Sequence, residues 1–296
     1  MGIIMYELYQ VGEKSYYIDC PAKIGVYQAN ENAVYLIDSG SDKDAGRKIR
    51  KILDEHHWQL LGILNTHSHA DHIGGNHYLQ QQTGCKIYSS GIEKCFTEYP
   101  ILESSFLYGG YPCKELRHKF LLANESKVQD FSDQDFPKEI EIIPLRGHFF
   151  DMVGFRTPDD VVYLADCLSS KETLDKYKIV FLYDVEKYLN TLEKIKMLKA
   201  KIFVPAHAPV TDNIVELAKY NILKVNETAS HIVELCKVPS CFEVILKKLF
   251  DDFDLKMNFE QYVLVGSTVR SYLAWLKDMG KLEAYFENNQ LIWKMI

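Results

Sequence analysis

Short apolar runs with period-two alternation fill the first two thirds of the chain, and helix-spaced apolar positions fill the last third. Tyr6 to Tyr9, Tyr16 to Ile18, Ile24 to Tyr27 and Ala33 to Ile37 read as strands, broken at Gly12, Pro21 and Asn30 to Asn32. Lys43 to His57 places Ala45, Ile49, Ile52 and Leu53 on one side of a helix. The run Leu60-Leu61-Gly62-Ile63-Leu64 reads as a buried strand. A helix near Asn76 to Gln82 ends at Gly84, and Lys86 to Tyr88 forms another strand. This alternation predicts an α/β sandwich with helices on its outer faces.

From about 92 to 136 the pattern turns irregular. Phe106, Tyr108, Tyr111 and Phe120 accompany Gly109-Gly110 and Pro112, which suggests an insertion rather than a core strand pair. Strands return at Glu139 to Ile143, Met152 to Phe155, Val161 to Leu164 and Lys201 to Val204, with a helix at Val185 to Leu198. After Pro209 the chain becomes helical at Ile214 to Leu235, Cys241 to Phe250 and Glu260 to Met279. Strands at Lys281 to Tyr285 and Gln290 to Met295 then flank Asn288-Asn289, a turn dipeptide that suits a β-hairpin. The expected organisation is a large unit over 1–211, carrying the 92–136 insertion as a lid, and a smaller helical unit over 212–296.

Composition narrows the class. The chain has 296 residues, 47% hydrophobic and 25% charged, which suits a globular protein with a sizeable core. A net charge of -7 disfavours a polyanion-binding surface and docking on anionic membranes. No apolar run approaches the ~18 residues of a membrane span. Met1 to Tyr6 lacks the basic and apolar regions of a signal peptide. The seven cysteines form no CxxC pair, so reduced thiols in a cytoplasmic setting are expected.

The chemistry concentrates in Thr66-His67-Ser68-His69-Ala70-Asp71-His72, directly after the Leu60–Leu64 strand. His67 and His69 fall on one face of an extended segment, and Asp71 and His72 follow where the chain turns, with Gly74 and Gly75 supplying turn freedom. One loop thus offers up to four nitrogen and oxygen donors to a single cavity. Imidazole and carboxylate suit zinc, iron or manganese. His148 and His207 also follow apolar strand-like runs, and Asp166 ends the run Val161 to Ala165. A carboxylate closing a buried strand is costly unless paired or metal-bound.

On these residues the chain resembles the metallo-β-lactamase superfamily, whose hallmark is the HxHxDH motif. The resemblance implies an αββα sandwich. It also implies that His67, His69 and His148 hold one metal, that Asp71, His72 and His207 hold a second, and that Asp166 bridges them. Asp38, in Leu36-Ile37-Asp38-Ser39-Gly40, matches the superfamily's first motif and would orient a ligand rather than bind a metal. Cys167 would point to the other side of its strand and pack there. Two divalent ions, zinc first and iron or manganese as alternatives, ~3.5–4 Å apart would make hydroxide available near neutral pH and polarise the oxygen under attack. Asp71 and Asp166 then carry the catalytic roles, Asp71 by orienting the nucleophile.

Departures sort the branches of the superfamily. His69 stands where flavodiiron-type oxygen reductases carry glutamate, and His207 stands where some lactamases use cysteine. After His148 the chain reads Phe149-Phe150-Asp151-Met152, whereas glyoxalase II shows a further Thr and His. The C-terminal segment resembles the winged helix of an endoribonuclease-like branch. Its ten cationic residues, however, face twelve acids, so it reads as a packing or homodimer module and nucleic acid is disfavoured. The expected function is hydrolysis of an ester, thioester or lactone small molecule. A phosphodiesterase or endoribonuclease comes second, and a weakly active sensor or effector third. Phe106, Tyr108, Tyr111 and Phe149 are the candidate substrate lid. Arg117, His118 and Lys119 could face an anionic group or simply be solvated, while His56, His57, His77 and His231 are read as ordinary surface or packing residues.

Overall fold

Period-two alternation in the first strands separates the two faces of the sheet they build. The computed structural model describes residues 6–296, and Met1 to Met5, part of the stretch read as lacking signal-peptide features, lie outside the described residues. Strands β1 (Glu7–Gln10), β2 (Ser15–Asp19), β3 (Ile24–Asn30) and β4 (Ala33–Ile37) pair antiparallel in chain order. Helix α1 (Lys43–Glu55) then returns the chain to β5 (Gln59–Leu64), which runs parallel to β4. Asp42 caps α1 by accepting the Ala45 N–H at 2.9 Å. The short helix α2 (Ala70–Ile73), α3 (Asn76–Thr83) and β6 (Lys86–Ser89) follow. Along β3 and β4, Ile24, Val26, Val34 and Leu36 pack with Ile49, Leu53 and Leu79 of α1 and α3. Their neighbours Tyr27 and Ile37 point to the opposite face.

That opposite face meets a second sheet. Strands β8 (Glu141–Pro144), β9 (Val153–Arg156) and β10 (Val161–Ser169) pair antiparallel, after a short β7 (Gln129–Asp130) has joined β6 as the last strand of the first sheet. Helices α6 (Lys171–Tyr177) and α7 (Val185–Met197) precede β11 (Ile202–His207), which lies parallel to β10. Phe155, Val161, Tyr163 and Val204 fill the space between the sheets against Tyr27, Ile37, Leu64 and Tyr88. On the other side of β10, Val162 and Leu164 pack under α7. Helix, sheet, sheet, helix is the layering the sequence predicts.

The chain ends in α8 (Val215–Leu235), β12 (Ser240–Cys241), α9 (Phe242–Asp252), α10 (Phe259–Asp278), β13 (Leu282–Glu287) and β14 (Gln290–Met295). The expected hairpin forms, with Asn288 and Asn289 both at positive φ, 48° and 61°. Apolar residues of α8, α9 and α10 enter the same cluster as Leu145, Val162 and Leu192, so these helices pack on the second sheet's outer layer.

Three local expectations change. The 92–136 stretch opens with two helices, α4 (Gly91–Glu98) and α5 (Ile101–Tyr108), whose buried faces include Glu93, Thr97, Glu103 and Ser104. Polar residues on those faces hide the helical period from an apolar pattern. The run at Val161 does not end at Asp166 but continues to Ser169 past a break in register. Gly74 and Gly75 supply no left-handed turn: both are right-handed helical, φ -61° and -83°. What they supply is room. A Cβ on Gly74 would lie 2.2 Å from the Ser41 backbone, and one on Gly75 2.2 Å from the Ser39 carbonyl. The HxHxDH loop is thereby seated directly on the loop after β4.

Gly74→Ala is therefore expected to lower stability by about 3 kcal/mol, the scale of a forced backbone shift in a packed site. Urea denaturation checks this. Gly110→Ala serves as the control, because its nearest neighbour is a Tyr108 ring atom at 4.0 Å.

Candidate metal centre

Two loops, one short helix and two strands bring seven side chains to one edge of the sandwich. His67 and His69 leave the end of β5, Asp71 and His72 lie in α2, and His148 sits between β8 and β9. Asp166 projects from β10 and His207 ends β11. Gly147 turns the chain before His148 at φ 121°, where a Cβ would lie 2.2 Å from the Tyr188 nitrogen. Its carbonyl accepts the Asp184 N–H at 2.9 Å. Ala165, at φ 48° beside the register break, re-aims Asp166 out of the ladder.

The seven side chains form two groups that share Asp166. In the first, His69 Nδ1 lies 3.1 Å from His67 Nε2 and 3.1 Å from His148 Nε2. Asp166 Oδ2 is 3.5 Å from His148 Nε2 and 4.0 Å from His67 Nε2. In the second, His207 Nε2 lies 3.2 Å from Asp166 Oδ2 and 3.3 Å from Asp71 Oδ2. His72 Nε2 is 3.0 Å from Asp166 Oδ1. Each group keeps its ligand atoms within 4.8 Å of one another.

Which ring nitrogen carries the proton follows from the partners on the far side. Asp38 Oδ2 accepts from His72 Nδ1 at 2.7 Å and from the Thr66 hydroxyl at 2.7 Å, while Oδ1 accepts the Thr66 N–H at 2.8 Å. With its proton given to Asp38, the Thr66 oxygen accepts from His67 Nδ1 at 3.0 Å. His207 Nδ1 donates to the Pro21 carbonyl at 2.9 Å. The Nε2 atoms of all three rings therefore present lone pairs to the cavity. Lone pair faces lone pair, or lone pair faces carboxylate. Among the described residues, His72 Nε2 and Asp166 Oδ1 are also buried without any hydrogen-bond partner. Such a set is stable only with positive charge at its centre, supplied by a proton or a cation, and its imidazole and carboxylate chemistry fits two divalent metals.

Electrostatics divides the groups. Burial, followed by the neighbouring imidazoles, holds His67 well below the ordinary histidine range and His69 down to about 3, and burial also lowers His148. These three are neutral donors. For His207 burial opposes the charged form, but Asp166 and Asp71 overcome it and push the ring up to about 10. His72 is raised against burial by Asp166, Asp71 and Asp38. Asp71 and Asp166 are held low, against burial, by these same imidazoles.

Two buried carboxylates with no signal in an apolar pattern brace the centre. Glu93 accepts the Ser68 N–H at 3.1 Å, the Ser68 hydroxyl at 2.6 Å and the Asp151 N–H at 2.8 Å, tying the HxHxDH loop to the loop after His148. Burial pushes its carboxyl up to about 7. Glu103 lies 3.9 Å from His69 Nε2, on the side away from the cluster, and burial raises it well above the usual range. Thr66 is legible as part of the motif but not as a relay.

Other expected residues fall elsewhere. Phe149 is fully buried, its ring 4.4 Å from His69, so it supports that imidazole rather than covering the site. Phe106 packs on Phe96, Phe149, Phe150 and Tyr183. Tyr108 and Tyr111 are exposed, and Arg117 donates to the Tyr111 hydroxyl. His118 pairs with Glu260 at 2.9 Å and Lys119 with Asp42 at 2.8 Å. His56 stacks on Trp58, His77 bonds the Glu125 carbonyl, and His231 pairs with Asp252. Cys167 is buried in the core on the second sheet's outer side, and burial raises its thiol.

Comparison with known proteins gives a consistent picture. A family model described as Metallo-beta-lactamase superfamily matches residues 17–207. A "Hydroxyacylglutathione hydrolase" of Methylococcus capsulatus is 39% identical over 64 residues, 19% of this chain and 25% of that one. The chain thus spans a quarter of that relative's length. Among solved structures, a beta-lactamase domain protein from Burkholderia ambifaria covers 99% of this chain and 94% of its own, with TM-score 0.72 and 13% identity. A metallo-beta-lactamase family protein from Thermus thermophilus covers 99% and 98%, with TM-score 0.70 and 15% identity. These likenesses extend the fold match through the C-terminal helices.

Two outcomes follow for metal loading. Asp38→Ala removes the acceptor that fixes His72 directly and His67 through Thr66, so metal affinity is expected to fall roughly 10–100-fold, measured by competition with a chromogenic chelator. The Nε2 protons that Asp166 and Asp71 hold on His72 and His207 must leave when a cation enters. Affinity therefore rises with pH up to about 10, where His207 loses its proton without metal, and binding below that pH releases protons. Calorimetry in buffers of different ionisation enthalpy measures that release, and a pH-independent affinity would contradict it.

Proposed function

We propose a function for this chain, which belongs to the metallo-β-lactamase superfamily: it is a dinuclear metal-dependent hydrolase of a small-molecule ester, thioester or lactone. The observation that carries the reading is the shared carboxylate. Asp166 lies within reach of both donor groups, and the outward nitrogens of His67, His72 and His207 are occupied, so their inner nitrogens converge. Two divalent ions held there supply a water of lowered pKa and polarise the oxygen under attack. The chain's own residues do the rest. Asp71, the most exposed carboxylate of the set, is placed to orient the attacking water. Zinc is the first choice of metal, with iron and manganese accommodated by the same donors.

An acyl substrate is favoured over a phosphodiester for two reasons. The sequence-similar relative named above is a hydroxyacylglutathione hydrolase. The C-terminal segment also carries ten cationic against twelve acidic residues, among them Asp251, Asp252 and Asp254. The phosphodiesterase reading keeps one support: the order helix, short strand, two helices and hairpin over 215–295 resembles a winged helix. We read this 212–296 unit as a packing or homodimer module appended to the 1–211 unit. Cysteines without a CxxC pair fit a cytoplasmic setting, and no helix among the described residues is long and apolar enough to cross a membrane.

The test is a panel of esters, thioesters, lactones, bis-aryl phosphates and RNA, run on protein whose metal content is measured by elemental analysis. Turnover of acyl substrates, lost with most of one metal equivalent in Asp166→Ala, is the expected result. Wild-type turnover in Asp166→Ala would end the bridging assignment. Cleavage confined to phosphodiesters would favour the nuclease reading, and no turnover at full loading the sensor or effector reading.

A further inference from the structure

A cavity of about 410 Å³ opens beside the two donor groups, a volume in the range of small-molecule sites. His148, Asp166 and His207 line its inner end, so it reaches the shared carboxylate and touches both groups. Its walls come from outside the HxHxDH region. Ile179, Val180 and Phe181 line it from the segment between α6 and α7, and Gln261, Leu264 and Val265 from α10. The three α10 positions are i, i+3 and i+4, one face of that helix. Phe181 joins wall to floor: its ring meets His69 edge-on at 5.2 Å and His148 at 5.6 Å. Among the described residues lining the cavity there is no lysine or arginine, and apart from His148, Asp166 and His207 its polar side chains are three hydroxyls and an amide: Ser169, Thr173, Tyr177 and Gln261.

Chemistry follows from that lining. Beyond the donor groups the lining offers no cation, so an anionic tail reaching Ile179, Leu264 and Val265 would be buried without a partner, which is costly. An apolar tail would replace water against Ile179, Leu264 and Val265, which is favourable. We propose that this cavity is the acyl pocket: it seats a neutral, apolar acyl group of a few carbons, and one face of α10 sets how long that group can be. The inference rests on the acyl-hydrolase reading above. In the step it serves, the water oxygen forms a new bond to the acyl carbon and the acyl C–O or C–S bond breaks. Of the water's two protons one goes to the leaving group and the other to solvent, and the acyl group departs as its carboxylate. The role of the C-terminal helices is then specificity, and Gln261, Leu264 and Val265 determine it.

The test uses the full, metal-loaded chain and a thioester series from acetyl to octanoyl, with succinyl as the anionic member. Binding of the matching n-alkyl amides is measured by calorimetry alongside turnover. Wild type should gain roughly fourfold in kcat/KM per added methylene until the pocket is full, then level off. Succinyl should trail butanoyl by about tenfold or more. Leu264→Trp should move the plateau to shorter chains and Leu264→Ala to longer ones, in both turnover and amide binding, at wild-type metal content. Gln261→Arg, at a half-buried position, should raise succinyl relative to butanoyl. Thioesters cleaved with no length dependence, or a plateau that neither Leu264 variant moves, would overturn the pocket and leave the hydrolase reading standing. Full metal loading with phosphodiester cleavage and no acyl turnover would overturn the hydrolase reading itself, and the pocket with it.

Discussion

The carboxylate of Asp38 is where two strand ends and two imidazoles are tied together. Its backbone N–H donates to the Leu64 carbonyl at 3.0 Å, joining the end of β4 to the end of β5. Its side chain takes three donors, from the Thr66 N–H, the Thr66 hydroxyl and His72. The residue holds this position at φ 65°, a conformation a non-glycine residue adopts only when its surroundings over-determine it. The return is orientation. A buried carboxylate that takes these three donors leaves His67 and His72 one proton arrangement each, with their Nε2 lone pairs inward. Both donor groups inherit that arrangement, since His67 belongs to the first and His72 to the second.

Much of this is legible in the sequence because it lies on strand ends. Period two in β3 and β4, a helical stripe in α1 and the apolar run of β5 fix where the chain must stop, and the histidines stand directly after such stops. Ala33–Ile37 and Gln290–Met295 form over the same residues as their apolar patterns. The hidden parts share one cause. In α4 and α5 the buried face carries Glu93 and Glu103, so an apolar period cannot reveal it. In β10 the break at Ala165 is a backbone feature, and the apolar run on either side looks continuous. Gly74 and Gly75 stand out in the sequence as turn formers, yet the property the fold uses is a different one: they permit contact, not a turn.

The buried carboxylates outside the donor set explain why a loop of seven residues can be rigid. Glu93 binds Ser68 from one side and the Asp151 backbone from the other, so the loops that carry His67, His69 and His148 share one anchor. Phe149 and Phe181 fill the space beneath and beside His69 and His148, fixing ring planes where no hydrogen bond does. Hydrogen bonds therefore orient the rings nearest Asp38 and Pro21, and aromatic packing orients the others. A metal centre needs both, because a neutral imidazole without an outer acceptor is otherwise free to rotate.

The same division bears on where selectivity resides. The sequence predicts a lid from residues 92–136, yet Phe106 faces other aromatics, and Tyr108 and Tyr111 face solvent. The helices of that stretch instead deliver Glu93 and Glu103 to the back of the centre. On the open side stands α10, more than a hundred residues later in the chain, held there by the apolar cluster it shares with α7, α8 and β10. Sequence distance conceals this, since an apolar stripe on a C-terminal helix reads only as core. A stripe that serves as core along most of its length and as a cavity wall at one turn needs no change of pattern. What distinguishes the two uses is the neighbour, and for Leu264 and Val265 that neighbour is the cavity ending at His148, Asp166 and His207.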